Sequence, residues 1–250
     1  MSDFKSEVKD GMRIDWNVPL KMEDGVVLRC DIYRPDDDGK HPTILTYGIY
    51  AKGVAYQEGY PFQWEKMIED YPEILEGSTN KYQNWEVTDP ECWIPHGYAC
   101  VRFDSRGAGC SEGFMSPNSP KEIEDLYECI EWAGTQEWSN GKVGMLGISY
   151  YSRNQWRIAA KHPPHLTAII PWEGGNDPYR DSGYHGGIMS QFLERWSKHQ
   201  VMNIQYGRGE NGRKNPNTGE SATGPHTLSE EELATRKVNF THPPVLMARG

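Results

Sequence analysis

The sequence is poor in cysteine, lacks any long apolar run and has no surplus of positive charge. Its five cysteines, Cys30, Cys92, Cys100, Cys110 and Cys129, are odd in number and include no C-x-x-C pair. That argues against a disulfide framework and for reduced thiols in a cytoplasmic protein. No apolar stretch approaches the roughly 18–20 residues of a spanning helix, and the start, "MSDFKSEVKDGMRIDW", has no signal-peptide core, so no membrane role is expected. A formal net charge of −10 disfavours nucleic acid and anionic membranes, which reward clustered Lys and Arg. His, Cys and acidic residues are not grouped at metal-ligand spacing, so neither a metal nor another cofactor is expected. Internal repeats and low-complexity tracts are also missing.

What is present is an α/β pattern on a chain of 250 residues, long enough to bury a core without disulfides. Val26 to Tyr33 and Pro42 to Tyr47 read as strands around the polar turn "DDDGK". An aromatic excursion from Ile49 to Pro95 follows, with a helical stretch near Tyr60 to Tyr71. "GYACVRFD" is a short strand leading into the turn "SRGAGCSEG". In "SPKEIEDLYECIEWAG", Ser119 is an N-cap, Pro120 suits the first helical position and Glu122 would complete a capping box. Ile123, Leu126, Tyr127 and Ile130 then form one buried stripe. "KVGMLGIS" reads as a strand, "YSRNQWRIAAKH" as a helix and "LTAIIPW" as a strand. This alternation predicts a doubly wound, mostly parallel sheet. After Trp172 the texture changes: "YHGGI" reads as a loop entering a cap, "IMSQFLERWSKHQVM" as helical, and "GRGENGRKNPNTGESATGPH" as an exposed loop.

The stretch "GKVGMLGISYYSRNQW" places Ser149 where a strand meets a helix. A serine hydroxyl is a weak nucleophile and needs both a base and donors for the oxyanion. A sharp strand-to-helix turn exposes the hydroxyl and aims the next amide at the developing charge. Gly147 supplies the small residue on one side, but Tyr151 stands where the familiar Gly-x-Ser-x-Gly has its second glycine. On spacing alone, a helix-capping serine explains the pattern equally well. "DSRGAGCSEG" lacks the lysine and spacing of a phosphate loop and reads as a tight turn tied down by Asp104 and Arg106.

Five stretches in register resemble the cocaine esterase-like acyl hydrolases and their relatives, the Xaa-Pro dipeptidyl-peptidases and α-amino acid ester hydrolases. They are "DGVVLRCDIYRP", "TYGIYAKG", "FDSRGAGCSEG", "DLYECIEWAGTQEWSNGKVGMLGISY" and the elbow "GISYYS", which departs from the family at Ser152, where glycine is usual. The resemblance implies an α/β-hydrolase fold. It implies Ser149 as nucleophile, with the Tyr150 backbone amide and the Tyr50 hydroxyl forming the oxyanion hole. The alternative for Tyr50 is an aromatic packed over the core. Trp172, Tyr179, Trp64 and Trp85 are candidate pocket walls, Trp172 and Tyr179 foremost for substrate binding. An N-terminal amine in the substrate would need paired carboxylates, for which Glu173 and Asp177 are candidates.

The hydrolase order, serine then acid then histidine, places the base after Ser149. His162, His165, His185, His199, His226 and His242 follow it, but none follows a strand with an acid ahead in the expected arrangement. By resemblance the acid and base lie beyond residue 250, and the chain is the front part of a longer enzyme. The expected division is 1–175 for the core, 176–245 for a helical cap and 246–250 for a return strand. The expected function is a serine acyl hydrolase of esterase type acting on a small ester, amide or short peptide. A dipeptidyl-peptidase is the runner-up, and a non-catalytic binding protein on the same fold is the rival from another class.

Overall fold

The computed structural model describes residues 4–175, 177 and 179–238. Seven strands form one sheet: β1 (Lys5–Lys9), β2 (Met12–Lys21), β3 (Val27–Pro35), β4 (His41–Gly48), β5 (Ala99–Asp104), β6 (Ser139–Ile148) and β7 (Leu166–Trp172). Their order is β1-β2-β3-β5-β4-β6-β7. β5, β4, β6 and β7 are mutually parallel, while β1, β2 and β3 join antiparallel at one side. The expected mostly parallel sheet is therefore present, extended by an antiparallel flank. β1 and β2 meet at Asp10 and Gly11, both at positive φ. β2 follows the alternation rule until a bulge between Asp15 and Val18, where Asn17 takes φ 55°.

The helices are α1 (Tyr56–Gly59), α2 (Pro61–Asp70), α3 (Pro90–Trp93), α4 (Pro120–Gly134), α5 (Tyr150–Ala159), α6 (Phe192–Trp196) and α7 (Glu230–Thr235). The α4 stripe of Ile123, Leu126 and Ile130 packs with Leu45, Tyr47, Val101, Phe103, Val143 and Met145 to fill one face of the sheet. α5 contributes Ile158 to the same core. The opposite face carries Ile14, Trp16, Tyr33, Ile44 and Cys100, covered by Tyr82 and Ile94 from the excursion between β4 and β5. Ser119 caps α4 by accepting from the Glu122 amide at 3.3 Å. The reciprocal half of the expected capping box is not made. Glu122 instead accepts from the Asn118 amide at 2.7 Å and from the Tyr150 hydroxyl at 2.6 Å.

The turn after β5 is tied down as its sequence implied. Asp104 accepts from the amides of Lys52 (2.6 Å) and Cys110 (2.8 Å), and Arg106 makes a two-pronged pair with Asp125 at 2.7 Å. Beyond residue 175 the helical expectation holds only in part. "YHGGI" is a hairpin rather than a plain loop: Tyr184–His185 pairs with Ile188–Met189 around Gly186 and Gly187, both at positive φ. α6 runs into a π-helical turn, Ser197–Val201, and a 3₁₀ turn, Met202–Ile204. Residues 205–228 then fold back onto the turn that follows β5, through Tyr206 N–H to the Gly107 carbonyl (2.9 Å). The expected return strand at 246–250 lies outside the described residues, as does His242.

Candidate active site

Strand order alone places the site. β4 sends the chain back toward β5, whereas the neighbouring β6 sends it on to β7, so the carboxyl ends of β4 and β6 flank a topological switch point. Tyr50 lies just past β4 and Ser149 just past β6.

Ser149 sits at φ 54°, ψ −108°, a conformation costly for a non-glycine residue and characteristic of a sharp strand-to-helix turn. Its amide donates to the Trp172 carbonyl at 3.0 Å, and its own carbonyl accepts from Ser152 and Arg153 as α5 begins. The side chain makes no helix-capping hydrogen bond, which removes the bland reading of a capping serine. Two departures from the usual elbow pattern are accommodated by close approach of backbone. A Cβ at Gly147 would overlap Tyr151, and one at Gly174 would overlap the buried Ser152 hydroxyl. Bulk placed after the serine is thus offset by absence of bulk before it and across from it.

Tyr50, Ser149 and Tyr150 line one cavity together with Asn118, Arg153, Phe192, Leu193 and Trp196. The Tyr50 hydroxyl, buried with its ring, accepts from the Trp196 indole at 2.9 Å. Its own proton is therefore available to another acceptor. Burial first, and the nearby Glu86 second, hold its ionisation well above the usual tyrosine range, so it remains a donor. The Tyr150 ring stands edge-on to Tyr50 at 6.0 Å and stacks on Trp196 at 6.0 Å. Its hydroxyl donates to Glu122, whose own ionisation burial pushes up to about 7.

Glu86 approaches the same turn from the excursion. Its carbonyl accepts from the Ile148 amide at 3.1 Å, and its carboxyl faces the backbone amide of Tyr150. Burial raises that carboxyl to about 8, against the lowering effects of Trp85 and the Tyr150 amide. Trp85 belongs to an aromatic cluster, stacked on Tyr60 at 4.1 Å and edge-on to Tyr56 at 5.1 Å, with Trp64 against Tyr56 at 5.3 Å.

The other candidates are placed elsewhere. The Trp172 side chain is 56% exposed at the sheet edge, and Tyr179, 44% exposed, stacks on Tyr184 at 4.8 Å; neither lines the Ser149 cavity. Asp177 is used locally, accepting from the amides of Tyr179 and Arg180 at 3.0 Å. His165 bonds Glu131 at 2.8 Å beneath α4, His185 reaches the Asp181 carbonyl, and His226 packs near Tyr206. Among the described residues no histidine lines the cavity. Sequence reading missed Glu86, Asn118 and Trp196. Trp196 meets Tyr50 across 146 positions, and no local pattern announces such a pairing.

Comparison with known proteins agrees with this geometry. Cocaine esterase from Rhodococcus sp. strain MB1 Bresler is 34% identical over 183 residues, 72% of this chain and 27% of the esterase. An Xaa-Pro dipeptidyl-peptidase from Streptococcus pneumoniae is 23% identical over 63% of this chain and 26% of its own length. The crystal structure of a CocE/NonD family hydrolase from Staphylococcus aureus superposes with a TM-score of 0.68 at 36% identity, over 80% of this chain and 36% of that one. The chain thus spans about a quarter of the length of the curated relatives it matches. The sheet, the elbow and the helices around it are those of an α/β-hydrolase. Residues 24–239 match the sequence profile of the X-Pro dipeptidyl-peptidase (S15 family), and by that match the chain belongs to this family.

Proposed function

We propose that this chain carries the nucleophile and oxyanion side of a serine acyl hydrolase that cleaves an ester through an acyl-enzyme. The observation that carries the reading is the convergence of Ser149, strained at its turn, with Tyr50 and Tyr150 on one cavity. In the first half-reaction Ser149 Oγ attacks the acyl carbon while a base takes its proton. The carbonyl oxygen becomes an oxyanion between the Tyr50 O–H and the Tyr150 N–H. The alcohol then leaves with a proton returned by the base, and water repeats the attack on the acyl-serine. No step calls on a metal or cofactor. Trp172 and Tyr179 would serve only a part of the substrate that extends beyond the cavity.

A small ester is favoured over a peptide with a free amine because of where the carboxylates sit. Asp177, one of the pair suggested for an amine, is engaged in its own turn. The test is turnover of p-nitrophenyl butyrate by the full-length protein. We expect a rapid first release of one p-nitrophenol per Ser149, followed by slower steady turnover, and loss of both in Ser149→Ala. Unchanged turnover in the alanine variant would overturn the proposal. Tight binding of the ester with no turnover in either protein would favour the non-catalytic reading.

A further inference from the structure

We infer that Arg153 makes this site select esters that carry a carboxylate a few bonds from the scissile carbonyl. The inference names a substrate class for the acyl-enzyme reading and rests on that reading.

Arg153 stands one helical turn on from the nucleophile, its amide donating to the Ser149 carbonyl at 3.0 Å as α5 begins. Residues at this spacing share a helix face, and Arg153 and Ser149 line the same cavity. The Arg153 Nη2 donates to the hydroxyl of the buried Ser182, in the π-helical turn Tyr179–Gly183. That contact holds one end of the guanidinium. Nε is sealed from solvent without a partner, whereas Nη1, also without a partner, is not sealed. Among the described residues no carboxylate comes within ion-pair distance of Arg153, and Glu86 senses it only from farther away. The cation is therefore part-buried and unpaired beside the nucleophile.

Asn118 lines the same cavity from the loop before α4. It is 3% exposed, and its side chain makes no hydrogen bond to a described residue. Its Oδ1 is sealed, so the end left open is the N–H donor. Two unspent sets of donors, one of them charged, thus border one small space. Holding a cation away from water without a counter-ion is costly, and a negatively charged acceptor relieves that cost. A carboxylate is such a group: it is acceptor-only, and its planar pair of oxygens matches the guanidinium fork. Phe192, Leu193 and Trp196 on the same cavity give apolar contact to a short methylene spacer. The same cation repels a substrate with a free amine.

The experiment compares two matched pairs of esters on the full-length protein, followed by pH-stat titration of released acid. Monomethyl succinate differs from methyl butyrate by a carboxylate in place of the terminal methyl on the acyl side. Butanoyloxyacetate differs from ethyl butyrate in the same way on the alcohol side. We expect kcat/KM to favour the charged member of one pair by about 10–10²-fold, the range for a hydrogen bond to a charged group, and the pair that shows it says which side carries the carboxylate. Arg153→Met should bring that ratio to about one or below, whatever it does to the absolute rates, and Arg153→Lys should keep part of it. If the variants fold poorly, inhibition of the wild type decides: 4-oxopentanoate and butanoyloxyacetate amide analogues aside, 4-oxopentanoate should compete with monomethyl succinate at a concentration at least about tenfold below that of 2-pentanone, its uncharged counterpart. No preference in either pair, or a preference that survives in Arg153→Met, would overturn the inference. Turnover of these esters unchanged in Ser149→Ala would instead overturn the acyl-enzyme reading beneath it.

Discussion

Replacing Glu122 by glutamine should change how the protein's stability depends on pH. Glu122 lies buried under α4, accepting from the Asn118 amide and the Tyr150 hydroxyl. Burial raises its ionisation from 4.5 to about 7. Below pH 4.5 the group is protonated whether the chain is folded or not, and its benefit is fully present. Between 4.5 and 7 the unfolded chain releases a proton that the folded one retains, so stability falls as pH rises. Above 7 both forms are ionised and the loss is complete. A gap of this width corresponds to about 3 kcal/mol. Glutamine offers the same carbonyl acceptor and no titration. Urea denaturation of wild type and Glu122→Gln, from pH 4 to pH 8, should therefore show the variant gaining about 3 kcal/mol relative to wild type across that span. Asp104, pushed up to about 6 by burial, titrates in both proteins and cancels. A difference between the two proteins that stays constant with pH would refute the reasoning.

Tyr50→Phe should lower kcat on p-nitrophenyl butyrate by about 10²–10³-fold with little change in KM, because it removes one oxyanion donor. Near-normal kcat with a lower melting temperature would make Tyr50 structural. Lys52→Met should cost about 3–5 kcal/mol in urea denaturation, because the buried Lys52 Nζ sits 2.9 Å from the Asp31 carboxylate and the change leaves that charge unpaired. A loss under 1 kcal/mol would contradict the weight given to this buried pair. Gly147→Ala should destabilise by about 1–3 kcal/mol, since its Cβ would overlap Tyr151 and push the turn that holds Ser149. A neutral result would show that Tyr151 can move aside.

Elements with a strong local period were legible in the sequence. The α4 stripe and its Ser119–Pro120 start were readable because the capping residue and the 3.6-residue repeat agree. The β6–turn–α5 unit around Ser149 was equally clear. What local pattern could not supply was the partner of each polar group. The Ser119–Glu122 spacing suggests a capping box, yet a tyrosine hydroxyl 28 residues away outcompetes the Ser119 amide for the carboxyl. Trp172 and Tyr179 were attractive as aromatics near the serine in sequence. Strand alternation and the sheet edge turn the Trp172 side chain outward, while the hairpin at Tyr184 holds Tyr179. The approach of Glu86 to this turn was invisible because it rests on a backbone contact with Ile148 across 62 positions.

The central claim, that Ser149 is an activated nucleophile, is tested most directly by covalent capture. The folded full-length protein would be treated with a fluorophosphonate, digested, and read by mass spectrometry. The account predicts one adduct, on the peptide containing Ser149, absent after heat denaturation and absent in Ser149→Ala. An adduct on another residue, or equal labelling of the alanine variant, would contradict it.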